Sequence, residues 1–470
     1  MQPLARIGQC FVTVNIARLA GCAVGENQHG GLRVRREFFY STTAPRAVEM
    51  NEMARDAKPW FIWMLCANFY LYAFFQRVAP SVMITELMRD FGVTAVVLGN
   101  LSAFYYYAYA AIQMPVGVML DRFGPRRVLS AALLLSGLGS LLFATAETLP
   151  QAYFGRLLIG AGVGFALVGT LKVAAVWFPP KRFALVTGLT FMLAMVGAVI
   201  GQAPLALVVD AVGWRGTMMG AAAVALLGVP LIWLAVREGP EPEARMTPVP
   251  HSGLLRSLRL IATTPQTWVC SIYSTTNFAT MLAFVGLWGV PYMMEAHGLS
   301  RPAAALSTSL VLIGFGIGGP LFGWFSDYVG RRRIPMRVSS VGVLVTFSLI
   351  IYGPGLPLSA IDVLLFTCGV FQGGAVLGFV TAREHNLPGA DGATLGFINT
   401  ISVSSGAILQ PLIGWLLDLH WDGRMEGGAQ VFSVGAYRTA FLSLLVACGI
   451  AVVTAFLVRE TFCRQVRREA

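Results

Sequence analysis

The chain has 470 residues, 56% of them hydrophobic and 12% charged, with a formal net charge of +11. A soluble domain carries about 25% charged residues, so an ordinary soluble enzyme or binding module is excluded and an integral membrane protein is implied. The arginines stand mostly between apolar runs, where they set orientation in a bilayer, so no nucleic-acid partner is expected.

Residues 1–58 are Arg-rich and lack sustained periodicity. The run from Cys10 to Val24 is short and carries Arg18 at its centre, which suits neither a membrane span nor a signal peptide. Arg35-Arg36-Glu37-Phe38-Phe39 is followed by no apolar region. This stretch is expected to be a disordered extension or an over-extended start, with translation beginning at Met50 or Met53. From Trp60 onward, apolar runs recur near 60–87, 97–119, 128–147, 151–175, 183–209, 216–236, 267–293, 304–326, 338–355, 360–382, 394–417 and 436–459. Each is long enough for a helix of about 20 residues at ~1.5 Å rise. The chain therefore predicts twelve transmembrane helices in two sets of six, residues 59–236 and 266–460, with a Pro- and charge-rich link at 237–265 and a tail at 461–470. Within that link, Leu254 to Ile261 suits either a surface amphipathic helix or a plain solvated linker. Arginine and lysine at Arg122, Arg126, Arg127, Lys181, Arg182, the 237–264 link, Arg331 to Arg333 and the tail fall on one side. Both termini are accordingly expected to be cytoplasmic.

A duplicated motif ties the two sets together. Gly117-Val-Met-Leu-Asp121-Arg-Phe-Gly124-Pro-Arg-Arg127 returns as Gly323-Trp-Phe-Ser-Asp327-Tyr-Val-Gly330-Arg-Arg-Arg333, with Asp121 and Asp327 standing 206 residues apart. Gln202 and Gln410 are 208 apart, as are Gly188 and Gly396, and Pro204-Leu205 and Pro411-Leu412 are each followed by an Asp and then a Trp. The doubled loop resembles the signature of the major facilitator superfamily of secondary transporters. That resemblance implies an all-α membrane fold of two six-helix bundles rocking about a midplane site. It also implies a latch at the loops, made and broken by Asp121, Arg122, Arg126, Asp327 and Arg331. Arg156-Leu-Leu-Ile-Gly160-Ala-Gly162 resembles a second signature of the same family, in which the arginine serves the conformational cycle or proton coupling; an interface arginine bonded to a backbone carbonyl is the other reading. The spacing of Gly188, Gly197 and Gly201 is similar to that of the antiporter signature in drug-exporting members, yet Gln202 stands where that signature has Pro. Small residues for close helix packing explain the glycines equally well.

Ionisable groups inside spans are costly and hence functional candidates. Arg77 shares a helix face with Tyr70 and Ala73, and it is either a fixed cation for an anionic group or an arginine snorkelling to the interface. Its setting, with tyrosines before it and Pro80 and Glu86-Leu87 after it, is similar to the first span of the organophosphate antiporter branch. There, a second arginine lies six residues before a Trp in the seventh span. Here Trp288 is present but Leu282 takes the arginine's place, and a single arginine suits a carboxylate better than a doubly charged phosphate. Tyr106 and Tyr109 with Gln113 offer donors and acceptors from the second span, against an aromatic belt as the other reading. Asn277 matches Asn68 in the first span. Lys172 lies roughly 160° round the helix from Arg156 and is not expected to act with it. Glu384, closing the tenth span, is the best-placed carboxylate for a proton or a gate pair.

The seven cysteines (10, 22, 66, 270, 368, 448 and 463) show no metal-like or paired spacing and suit small apolar fillers. Gly160, Gly162 and Gly164 lie inside a span, so no nucleotide loop is present; no metal, cofactor or enzymatic site is expected. The expectation is a monomeric secondary transporter of a bacterial-type inner membrane. Its partners are the bilayer, a small organic anion or zwitterion such as an amino acid, dipeptide or carboxylate, and a coupling proton. A drug or metabolite exporter and a non-transporting solute sensor are the alternatives.

Overall fold

The computed structural model describes residues 45–113, 115–236, 259–386 and 391–466. The expected N-terminal extension up to residue 44, the link at 237–258 and residues 467–470 lie outside the described residues. Contacts divide the chain into Met1–Ala57 and Lys58–Ala470. The first unit contributes only the beginning of helix α1 (Pro45–Val78) to the described residues, and all that follows concerns the second.

Among the described residues, ten helical segments are long and apolar enough to cross a membrane. With α1 and the shorter apolar stretch Leu185–Ile200 the count reaches the expected twelve. The molecule is a multi-pass, nearly all-helical membrane protein of two helix bundles. The first expected span, 60–87, is interrupted because Pro80 has no N–H to give: α1 ends at Val78, a 3₁₀ turn covers Ala79–Val82, and a separate helix α2 (Ile84–Phe91) follows. The second span, α3 (Ala95–Gln113), is followed by α4 (Val116–Ala144), where Gly124 at φ 78° turns the chain back. Gly330, its repeat partner, also has positive φ, at 68°. A Cβ would strain both turns, which accounts for the glycine in each copy of the motif.

Three spans are broken in mid-membrane. The fourth consists of α5 (Leu149–Val163) and α6 (Ala166–Trp177) on either side of Gly164. The fifth consists of α7 (Pro180–Ile200) and the start of α8 (Ala203–Ala235), interrupted at Gln202; α8 itself turns at Gly213 into the sixth span. The tenth consists of α13 (Leu358–Gln372), a 3₁₀ turn at Gly373–Ala375 and α14 (Val376–His385). The seventh span, α9 (Pro265–Ala279) and α10 (Gly289–His297), is joined by a π-helical stretch, Thr280–Trp288. Pro291 lies just beyond this stretch and cannot donate to the preceding turn, which favours the wider winding. The remaining spans are α11 (Arg301–Val329), α12 (Arg333–Tyr352), α15 (Asp391–Leu419) and α16 (Val434–Leu457). Between the last two, Met425–Glu426 pairs antiparallel with Ala429–Gln430 around Gly427-Gly428, a dipeptide suited to a tight hairpin turn.

Candidate functional site

The polar interior of the N-terminal bundle is organised around Tyr105. The Arg77 guanidinium lies 5.9 Å from its ring centroid and the Arg156 guanidinium 5.2 Å. Arg77, 7% exposed, also lies over Phe74 at 4.3 Å and Tyr109 at 5.3 Å. It therefore does not snorkel out of the protein. Arg156, 1% exposed, donates from Nη1 to the Gln76 carbonyl at 3.1 Å. Gln76 in turn donates to the Tyr72 hydroxyl at 2.6 Å and to Ser140 Oγ at 2.8 Å. Arg77 Nε and Arg156 Nε and Nη2 are buried without a hydrogen-bond partner, as are Tyr106 Oη, Gln76 Oε1 and Gln410 Oε1. An unsatisfied buried donor costs ~1–3 kcal/mol, more when charged. Two guanidinium groups with free N–H around one ring are therefore chemically prepared for an anion.

Tyr106 packs against Gly406: a Cβ there would stand 2.9 Å from the ring. Tyr109 accepts from Asn399 Nδ2 at 3.5 Å, linking the two bundles, and Tyr107 donates to the Ala407 carbonyl at 3.1 Å. Gln202 and Gln410, the repeat-related glutamines, converge on the π-helical stretch of the seventh span. Gln202 Nε2 donates to the Val285 carbonyl at 3.0 Å and Gln410 Nε2 to the Leu282 carbonyl at 2.8 Å. Trp288 Nε1 donates to the Gln410 carbonyl at 3.0 Å. Of the other expected substrate ligands, Tyr70 meets Phe74 and Phe191 edge-on. Gln113 donates to the Gly164 carbonyl at 3.5 Å, and Asn277 to Ser339 Oγ at 3.3 Å, each within its own bundle.

The two ends of the molecule differ. At the end away from the arginine loops, Asp418 on α15 accepts from the first backbone N–H groups of α3, Ala95 at 3.0 Å and Val96 at 2.8 Å. Arg301, which opens α11, contacts Glu86 at 2.5 Å and Asp210 at 3.2 Å, so it too bridges the bundles. Between α3 and α15 the backbones nearly touch, for a Cβ on Gly414 would lie 2.3 Å from the Ala95 carbonyl oxygen. Nearby, burial alone would raise the Asp90 pKa, but hydrogen bonds from Trp214, Arg215 and Arg89 hold it below the usual carboxylate range. At the loop end, ion pairs among the described residues stay inside one bundle. Asp121 pairs with Lys172. Arg126 donates to the Trp233 carbonyl at 2.7 Å, while Arg122 lies over Phe123. In the second copy Arg332 is the buried arginine, binding Asp327 at 2.8 Å and Glu384 at 2.8 Å, while Arg331 is exposed. Glu384 and Asp327 hold the Arg332 guanidinium above its ordinary pKa despite burial. Among the described residues, the cross-bundle bonds named above run from the middle of the spans to the end away from the loops, and they hold that end together.

Neither Arg332 nor the sealing residues Glu86, Asp210, Arg301 and Asp418 were among the expected site residues. For Asp210 and Asp418 a signal existed, since they stand 208 residues apart like the two glutamines.

Two helical bundles of membrane-spanning length, with interrupted spans and buried charge inside the N-terminal bundle, are the architecture of a secondary membrane transporter. The family model described as Major Facilitator Superfamily matches residues 65–411 and 277–468, and the chain belongs to that family, one of transporters rather than enzymes. It is 26% identical over 288 residues to the probable sulfoacetate transporter SauU of Cupriavidus necator, a match covering 58% of this chain and 66%, just under two thirds, of that protein. It is 23% identical over 431 residues to the gallate transporter of Pseudomonas putida, covering 85% and 92%. Among solved structures, a bacterial homolog to the human lysosomal transporter Spinster superposes with a TM-score of 0.68 at 17% identity, covering 85% of this chain and 97% of that one. This is a likeness of fold.

Proposed function

We propose that this protein is a monomeric secondary transporter of a small organic anion, a carboxylate or sulfonate, working by alternating access in a bacterial inner membrane with its arginine loops and both termini in the cytoplasm. The observation that carries this reading is the pair of buried guanidinium groups of Arg77 and Arg156, with unpaired N–H around Tyr105. A bidentate guanidinium–oxyanion contact would satisfy donors that otherwise stay costly. The relatives named for sulfoacetate and gallate support the same ligand chemistry. A drug exporter selecting cations would be repelled by this site.

Proton symport belongs to the reading through Glu384, the buried carboxylate that clasps Arg332 at the loop end. Anion exchange without a proton is the second reading. The contacts of Arg77 and Arg156 named above are to a backbone carbonyl and aromatic rings, with no carboxylate among them, so an unloaded carrier would have to reorient with both charges unneutralised.

Proteoliposomes offered labelled sulfoacetate or gallate test both. Saturable uptake driven by an inward pH gradient is expected under symport, and uptake only into vesicles preloaded with anion under exchange. Binding without flux in either format would overturn transport and leave a solute sensor. Cysteine labelling at positions 250 and 298 tests orientation; labelling of 298 only after permeabilisation would reverse it.

A further inference from the structure

At the loop end of the C-terminal bundle, away from the midplane site, the chain after α16 doubles back. Phe462 and Cys463 both adopt positive φ, 53° and 57°, a conformation that non-glycine residues hold only under strain. The turn closes a cavity of about 180 Å³ lined by Arg331, Arg333, Ile334, Arg337, Glu460 and Phe462. Three arginines meet there, and none has an ion-pair partner among the described residues. Arg333 Nη2 donates to the Phe456 carbonyl at 3.0 Å, and Arg337 lies over the Phe456 ring at 4.2 Å. Arg333 Nε and Arg337 Nε are buried and unpartnered. The one carboxylate lining the cavity is already occupied: Glu460 accepts from the backbone N–H of Arg332 at 2.7 Å, Arg333 at 3.1 Å, Thr461 at 3.1 Å and Phe462 at 3.2 Å.

We propose that this cavity binds the phosphodiester headgroup of an anionic phospholipid. Charge and unpaired donors select an oxyanion. Position selects a lipid over a free phosphate. The cavity sits where α12 begins and α16 has just ended, which is the headgroup level of two membrane spans. Below it an apolar skirt is exposed on the outer surface, with Ile334 36%, Val338 42%, Phe456 52%, Leu457 58% and Phe462 58% exposed. Acyl chains attached to a bound headgroup would lie on that skirt. Basic pockets between span ends and arginines near the bilayer surface act on anionic lipids in this way.

The test is thermal melting of delipidated protein in neutral detergent with added phosphatidylglycerol, phosphatidylcholine or inorganic phosphate. Phosphatidylglycerol alone should raise the melting temperature of the wild type. The Arg333→Gln/Arg337→Gln double variant should need roughly 30-fold more of it for the same rise. Should loss of the contacts to Phe456 impair folding of that variant, Arg331→Gln removes an exposed guanidinium whose side chain makes no described hydrogen bond or ion pair; it should melt like the wild type without lipid and need roughly fivefold more phosphatidylglycerol. An unchanged phosphatidylglycerol response in either variant overturns the proposal. A rise produced equally by inorganic phosphate overturns it in favour of a soluble-anion site.

Discussion

Arg77 gives the sharpest test of the anion reading because its two roles predict opposite readouts. In the structure its guanidinium is held over Phe74 at 4.3 Å and Tyr109 at 5.3 Å, and Nε has no partner. Truncation to alanine removes a charge-assisted contact to ligand worth ~1.5–3 kcal/mol, which weakens binding about tenfold to 150-fold. The unliganded protein should hardly notice. Loss of the cation–π contacts, ~0.5–2 kcal/mol each, is offset by removal of a buried charge that no carboxylate compensates. Arg77→Lys keeps the charge but forfeits the planar fork, so it should fall between wild type and alanine in affinity. Dissociation constants for sulfoacetate and gallate, with melting temperatures of the unliganded proteins, decide the matter. Unchanged affinity in Arg77→Ala together with a clearly lowered melting temperature would refute the binding role and make Arg77 a structural anchor.

Asp121→Asn should abolish most uptake at matched expression while the protein still inserts, because its pairing with Lys172 is an exposed contact at the loop; near wild-type flux would remove the latch role. Asp327→Asn should be milder, since Arg332 keeps Glu384. Asp418→Ala removes the cap on α3, worth ~0.5–2 kcal/mol, and should raise labelling of cysteines introduced on the sealed side about two- to thirtyfold; unchanged labelling would exclude Asp418 from the seal. Glu460 lies below the usual carboxylate range: burial would raise it, but four backbone N–H groups outweigh that. Its contribution to stability is therefore complete above the unfolded value and lost as pH falls through the lower folded one. The gap in melting temperature between wild type and Glu460→Gln should stay constant at neutral pH and close below about pH 4; a gap that closes near neutrality would contradict the assignment.

The spans and their duplication were legible because apolar length and repeat spacing are one-dimensional properties. Where helices stop inside a span was less so. Pro80 ends the first helix early, and the π-helical stretch before Pro291 has no periodicity of its own. The pairing of Arg77 with Arg156 was hidden for a different reason: it depends on the first and fourth spans packing against Tyr105 of the second, which spacing cannot give. The choice among Arg331, Arg332 and Arg333 turned on the direction the chain takes after Gly330. That direction places Arg332 inward against Glu384 and leaves Arg331 in solvent.

The seal itself follows the repeat. Asp210 and Asp418 occupy equivalent ends of the fifth and eleventh spans, 208 residues apart, and Ala95 and Arg301 open the second and eighth spans, 206 apart. Each aspartate therefore reaches the first turn of the other bundle's helix, one through an arginine and the other through bare backbone N–H groups. A partly exposed ion pair contributes ~0–1 kcal/mol and a helix cap ~1 kcal/mol, so these two repeat-related contacts are modest beside the more buried Arg301–Glu86 pair and the Gln202–Val285 bond that also join the bundles. Under the proposed anion reading, neutralisation of Arg77 and Arg156 by a bound anion would have to outweigh the sum of these contacts for the sealed face to open.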